Sequence, residues 1–276
     1  MGILLSTLTG YDGFDGSDDS QDGVEPHTSH RRSTERDVKE VQEILLDFLP
    51  LELINMILDE AEYWPVLICR NVSSPAKEIA ARAYPEHCAK YCYYISPKLP
   101  NTIRPKKVTF ILRSRDQGWG GDPGVTGTYP GSWTWFEAAI FRGLDAFIED
   151  ADRTARRVKG SEMPPRSPSD SSETQPPIEG AVQIEHPCNG SNLWMLQRNR
   201  RANRGEAQHE ITWTSIDDVE TKEDTDEALD RSGSGGGYGF VCSLQPGDRI
   251  AVYARAQYPG WVNHVHGVEI QIYYSL

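Results

Sequence analysis

The chain has 276 residues and a formal net charge of −13. That is room for one sizeable domain with a small one beside it, and the charge argues against general affinity for nucleic acid or anionic membrane. Much of the negative charge is segregated into 12–35 and 217–230, which are acidic and poor in apolar residues, so it says little about what the rest of the chain binds. No apolar run approaches the roughly 18 residues needed to cross a bilayer. The cysteines (Cys69, Cys88, Cys92, Cys188, Cys242) are odd in number and sparse, which reads as free thiols in a reducing compartment, cytoplasmic or nuclear.

Residues 1–36 read as a disordered acidic N-terminus. Its first residues, Met1-Gly2-Ile3-Leu4-Leu5-Ser6, fit the N-myristoylation pattern with Gly2 as acceptor. One such chain anchors only weakly, and the acidic residues that follow add no electrostatic hold. The run Ile3 to Leu8 is too short and lacks the basic flank of a secretory signal. Ser33 or Thr34 can cap a helix, with Asp37 as an early acid. Val38, Val41, Ile44, Leu45 and Phe48 then repeat at helical spacing until Pro50. A second helix is predicted over 51–63, with Leu53, Ile54, Ile57 and Leu58 on one face and Glu52, Asn55, Asp59, Glu60 and Glu62 on the other. Pro65 ends it, and a short Ala-rich helix over 76–83 follows within a helical region spanning 37–100.

From 101 to 276 the signals are β-type. Val108, Phe110 and Leu112 alternate in a strand over 106–114, and Asp116 to Pro130 forms a long Gly/Pro loop. The next strand starts at Trp133 and is apolar on both faces, as in a strand covered on two sides. Proline, serine and aspartate dominate a flexible insertion at about 150–180. Strands resume over 193–199 and 209–214, joined by an arginine-rich connector. An acidic stretch and a Gly/Ser run form a second flexible insertion at about 215–238, and 239–243 can pair briefly. Strands over 249–256 and 268–274 close the chain. This pattern, without an intervening long helix, predicts a mainly β fold: an antiparallel jelly-roll-like β-sandwich preceded by a short helical region.

The search for catalytic groups is negative: there is no Gly-x-Ser-x-Gly, phosphate-binding glycine loop, dinucleotide fingerprint or His-Glu-x-x-His, so no catalytic residue is expected. Cys88 and Cys92 lack a second pair, and His264 with His266 would need His209 or Asp116 to complete a metal site. Neither a metal nor a cofactor is expected. Aromatic residues in loops carry more. Trp119 and Trp261 sit among Gly and Pro, where a core role is not evident. With Asp116, Tyr129, Arg198 and Asn263 they form a candidate ligand-binding set, in which an indole face stacks on a sugar or flat ligand and the polar groups hold its edges. Trp133, Trp135, Trp194 and Trp213 lie on strands and are expected in the core. The arginines from Arg198 to Arg204 either bind an anion or pair with the nearby acidic stretch.

Leu49-Pro50-Leu51-Glu52-Leu53-Ile54-Asn55-Met56-Ile57-Leu58 resembles the start of an F-box, with its Leu-Pro-x-Glu-Leu pattern and following Ile-Leu. That resemblance implies docking on a Skp-type adaptor of a cullin ubiquitin ligase through Leu49, Pro50, Leu53, Ile57 and Leu58. The F-box pattern would continue with further helices and a Val-Cys-x-x-Trp-like segment, whereas this chain offers Val66-Leu67-Ile68-Cys69-Arg70. Over most of 45–274, the same segment combines with Ser114 to Trp119, Gly131 to Ala138, Leu196 to Asn199 and Pro259 to Asn263. This combination resembles a family of uncharacterised proteins of filamentous fungi, which implies a fungal origin and a shared architecture but no activity. The expectation is a non-enzymatic substrate receptor whose β domain selects a protein or small-molecule client. The alternatives are a stand-alone carbohydrate- or small-molecule-binding module, or an accessory protein of a fungal metabolic pathway.

Overall fold

Thr34 starts the folded part with a reciprocal cap. Its hydroxyl accepts from the Asp37 backbone N–H at 3.3 Å, and the Asp37 carboxylate accepts from the Thr34 backbone N–H at 2.8 Å. Two orphan N–H groups of the first turn are thereby satisfied. The structure is a computed structural model, and it describes residues 32–81, 87–120, 124–143, 181–215 and 226–276. Gly2, most of the acidic N-terminus, the proline-rich insertion and the stretch 216–225 lie outside them. Residues from Arg32 onward form one compact unit.

Helix α1 (Glu35–Leu46) and helix α2 (Leu51–Glu60) form a hairpin bent at Pro50. Val38, Ile54 and Leu58 are buried between them, together with half-buried Val41, Leu45, Leu49, Tyr63 and the C-terminal Leu276. The apolar stripe predicted on one face of α2 is split: Ile54 and Leu58 point inward, whereas Leu53 and Ile57 stay exposed. Lys106 donates to Asp59 at 3.0 Å, and Trp64 Nε1 donates to the same carboxylate at 2.8 Å, tying the hairpin to the β domain.

Among the described residues nine strands follow: β1 (Val66–Ala80), β2 (Cys88–Ile95), β3 (Arg104–Arg115), β4 (Thr134–Arg142), β5 (Val182–Gln183), β6 (Trp194–Arg198), β7 (Ala207–Thr214), β8 (Arg249–Gln257) and β9 (Val262–Ser275). Every pairing is antiparallel. One sheet runs β1-β9-β3-β7; the other runs β2-β8-β4, with β5 and β6 both pairing with β4. The two sheets share one core. Phe110, Ile270 and Ile272 enter it from the first sheet, and Phe136, Ile140 and Val252 from the second. On β4 the other face is also partly covered, since Ala139 and Phe141 form a second cluster with Ala251 and Tyr253.

Three sequence expectations need correction. The helical region does not extend to residue 100. The Ala-rich stretch predicted as a helix over 76–83 lies largely in β1, where Lys77 to Ala80 pairs with Val265 to Val262 of β9. Ladder hydrogen bonds and burial of Ile79 outweigh the helix propensity of alanine. Pro75 is tolerated because β1 is an edge strand whose register shifts between Val72 and Lys77. Second, the predicted flexible insertion at 215–238 is not free where it is described. Asp226–Ser232 is helix α3, with Leu229 buried, and the glycines after it cover the core. Trp213 Nε1 donates to the Gly235 carbonyl at 2.9 Å, and Trp194 Nε1 donates to the Tyr238 carbonyl at 2.8 Å. Third, the predicted brief strand at 239–243 is a helical turn, α4 (Phe240–Ser243). Phe240 is fully buried and meets Trp213, Trp194 and Phe110 edge-on at 4.9, 5.2 and 5.8 Å.

Gly237 has φ +68°, and a Cβ there would sit 2.1 Å from the Trp213 ring. Gly237→Ala is therefore expected to lower unfolding free energy by about 3 kcal/mol through strain and overpacking. Gly247, at φ +84° with nothing within 4 Å, is the control. Its alanine variant should lose only the backbone term, about 1–2 kcal/mol. Urea unfolding of both variants measures the difference.

Candidate functional site

Antiparallel pairing brings the ends of six strands together. Arg115 pairs with His264, Ser114 with Ala207, Thr134 with Ala256, and Trp135 with Arg198. The loops after β3, β6 and β8 therefore meet at one end of the sheets; they carry Asp116, Trp119, Tyr129 and Trp261 of the predicted ligand-binding set, while Arg198 ends β6 and Asn263 lies at the start of β9.

Beneath those loops lies a closed polar network. Asn199 Oδ1 accepts from Ser114 Oγ at 2.7 Å, while its Nδ2 donates to Thr134 Oγ1 and Asn263 Oδ1, both at 3.0 Å. Asn263 Nδ2 donates in turn to the Trp135 and Arg255 carbonyls at 3.1 and 3.3 Å. Asn199, Asn263, Ser114 and Thr134 are all fully buried. Asp116 is buried as well, and accepts backbone N–H bonds from Gly118 at 2.8 Å, from Asn203 at 3.0 Å and from Ala202. Burial pushes its pKa up, against the pull of those three N–H groups and Arg115. Asp116 and Asn263 thus spend their hydrogen-bonding capacity inside the protein, holding the loops rather than facing out of them.

The remaining four predicted residues separate. Arg198 is bound to α3, with Asp230 at 2.8 Å and Asp226 at 3.6 Å, so for this arginine the pairing with the acidic stretch holds. Tyr129 turns toward the core edge, packing on Gly233 with its ring 6.2 Å from that of His209. The Trp119 ring reaches the loop that carries Trp261. Trp119 is 60% exposed, and its ring edge lies 3.4 Å from the position a Cβ of Gly260 would take, next to Trp261. Two further rings lie in the adjoining chain segments, one expected in the core and one passed over in the sequence. Trp133, expected in the core, is 37% exposed and meets the exposed Tyr258 edge-on at 4.7 Å. Its position just before β4, on the Gly131-Ser132 turn, is the signal that could have found it. The Arg201 guanidinium sits 6.0 Å from the Trp261 ring centroid.

His264 and His266 point to different carboxylates, Glu78 at 3.4 Å and Glu206 at 3.2 Å. Among the described residues no group of three His, Cys, Asp or Glu side chains converges, and no helix is long and apolar enough to cross a membrane.

The second candidate surface is the outer side of the helical hairpin. Ile44, Leu46, Phe48, Leu51, Leu53, Met56 and Ile57 are all exposed, Phe48 at 77%. A groove of about 600 Å³ is lined by Leu49, Leu53, Met56, Ile57, Glu60 and Ala61. Of the five residues implied by the F-box resemblance, Leu49, Pro50, Leu53 and Ile57 reach this side, whereas Leu58 is buried in the hairpin. The further helices of that pattern are not formed, because the chain leaves α2 and enters β1.

No protein-family model, curated protein or solved structure matches the chain.

Two outcomes follow from this geometry. Asn263→Ala leaves Asn199 Nδ2 without one acceptor and two carbonyls without a donor, and should cost about 2–3 kcal/mol in urea unfolding. His209 is buried, its Nε2 has no partner, and burial beside Arg200 lowers its pKa from 6.5 to about 4. Below the unfolded value the unfolded chain takes up a proton that the folded chain refuses. Stability should therefore fall as pH drops from 6.5 toward 4, by up to about 3 kcal/mol from this group. His209→Gln should flatten that slope in pH-dependent unfolding.

Proposed function

We propose that this chain is a non-enzymatic binding protein that docks a partner on the outer face of the α1–α2 hairpin. The observation that carries this reading is the set of seven exposed large apolar side chains on two short helices and the turn between them. Single exposed apolar residues are ordinary on a protein surface, but a contiguous group is characteristic of an interface. The inner stripe of α2 is already used by Val38 and Tyr63, so the outer stripe needs a different occupant.

The partner we name is a Skp-type adaptor of a cullin ubiquitin ligase. The Leu49-Pro50-x-Glu52-Leu53 segment supports this choice, and the hairpin offers Leu53 and Ile57 where the resemblance expects docking residues, with Met56 exposed between them. The strand turn at Val66 removes the rest of an F-box, so contact would be confined to the hairpin. Within this reading the two sheets are a jelly-roll-like sandwich. The strand orders β1-β9-β3-β7 and β2-β8-β4-β6 are those of two interleaved Greek keys, and they support it. A fungal origin, a cytoplasmic or nuclear location and weak anchoring through Gly2 belong to the same proposal.

The test is co-expression of the full chain with a fungal Skp-type adaptor, followed by size-exclusion chromatography. A stoichiometric complex is expected. The triple change Leu53→Ser, Met56→Ser and Ile57→Ser should abolish it while the near-ultraviolet circular dichroism of the β domain is kept. Clean separation of the two folded wild-type proteins rejects the adaptor as partner.

A further inference from the structure

At the end of the sheets farthest from the hairpin, the exposed rings are aromatic rather than aliphatic. Trp119, Trp133 and Tyr258 are exposed and Trp261 is half-exposed, whereas the large exposed Leu, Ile and Met side chains, apart from Ile68 on β1, lie on α1 and α2. The loops that carry the rings are tied to one another. Gln117 links their backbones, donating to the Trp119 carbonyl at 2.8 Å and accepting from the Val262 N–H at 3.4 Å. Arg204 Nε donates to the Gly118 carbonyl at 3.2 Å, and the Arg204 stem lies so close to Gly118 that a Cβ would sit 2.7 Å from it. A platform fixed in advance loses little entropy on binding.

Charge at this end runs opposite to that of the chain. Arg200, Arg201 and Arg204 crowd the same loop, in a chain of net charge −13. Among the described residues, the acids nearby are engaged: Asp116 by backbone N–H groups, Asp226 and Asp230 by Arg198, and Glu206 by Arg113 and His266. Among the described residues, no carboxylate pairs with Arg200, Arg201 or Arg204. The Nε of Arg201 is buried without an acceptor, and its guanidinium stands beside the Trp261 ring.

We propose that this end binds an acidic oligosaccharide of the uronate class. A pyranose has an apolar C–H face that stacks on indole and phenol rings, and a uronate carboxylate fits the planar fork of an arginine. The exposed Trp119 and the Trp133–Tyr258 pair supply the stacking surface. Arg201, with Arg204 at the rim, supplies the carboxylate contact. The inference does not depend on what the hairpin docks.

Isothermal titration of the full chain tests it with four probes: a galacturonate oligomer, the same oligomer as its neutral methyl ester, a neutral glucan of equal length, and polyglutamate. The galacturonate oligomer should bind, the ester and the glucan about tenfold more weakly, and polyglutamate more weakly still. Trp119→Ala, at an exposed position that leaves folding intact, should weaken the galacturonate complex about tenfold. Arg201→Gln should erase the preference for acid over ester, with an unchanged circular dichroism spectrum. Silence toward the galacturonate oligomer overturns the proposal. So does equal binding of acid and ester, polyglutamate binding as tightly as the sugar, or a Trp119→Ala variant that binds like the parent chain.

Discussion

The contact on which the loop end depends is the hydrogen bond between the Asn199 and Asn263 side chains. Asn199 follows β6 in one sheet and Asn263 lies in β9 of the other, and their amides meet at 3.0 Å with no solvent exposure. Each then reaches further strands, Asn199 through Ser114 and Thr134, and Asn263 through the Trp135 and Arg255 carbonyls. Buried amides are expensive when half satisfied and specific when fully satisfied. Here they fix how the two sheets stand against each other where the loops leave. The opposite end has its own fork: Arg142 donates to both oxygens of the buried Asp248 at 2.8 Å and to the Ser243 carbonyl at 3.1 Å. Between these two pins lies the aromatic group of Phe110, Trp194, Trp213 and Phe240.

Two surfaces of different chemistry result. The hairpin packs against the N-terminal end of β3 and the C-terminal end of β9; the aromatic loops sit at the other ends of the same strands. Twelve residues of β3 lie between, a span of roughly 35–40 Å at the usual rise per residue. An occupant of one surface therefore leaves the other open.

The legible parts of the fold were those where local chemistry and tertiary role agree. Thr34 and Asp37 announce a helix start whatever surrounds them. The alternation in β3, β7, β8 and β9 matches strands with one face in the core. β1 was illegible because its second half is built of Ala, Lys and Glu, which take strand geometry in this edge strand only because β9 lies alongside. The glycine run before Phe240 resembles a linker, yet its lack of side chains is what lets the backbone lie on Trp213. At the loop end, Trp119 and Trp261 were readable as rings without a core. Asp116 and Asn263 were not readable as structural groups, since a carboxylate or amide that grips backbone N–H and C=O looks in sequence like one that grips a ligand. Leu58 and Leu53 show the same limit: identical side chains five residues apart on α2, one buried and one exposed, because only one side of the helix meets the domain.

The position of β9 bears on how the molecule is made. It lies between β1 and β3, so each of these strands reaches its central neighbour only across a long stretch of sequence. Leu276, just beyond β9, also packs on the buried side of the hairpin. Until β9 docks, β1 and β3 keep open strand edges, the feature through which β chains pair wrongly. Folding must wait for these contacts of long sequence separation, which makes it slow relative to helical proteins of similar size.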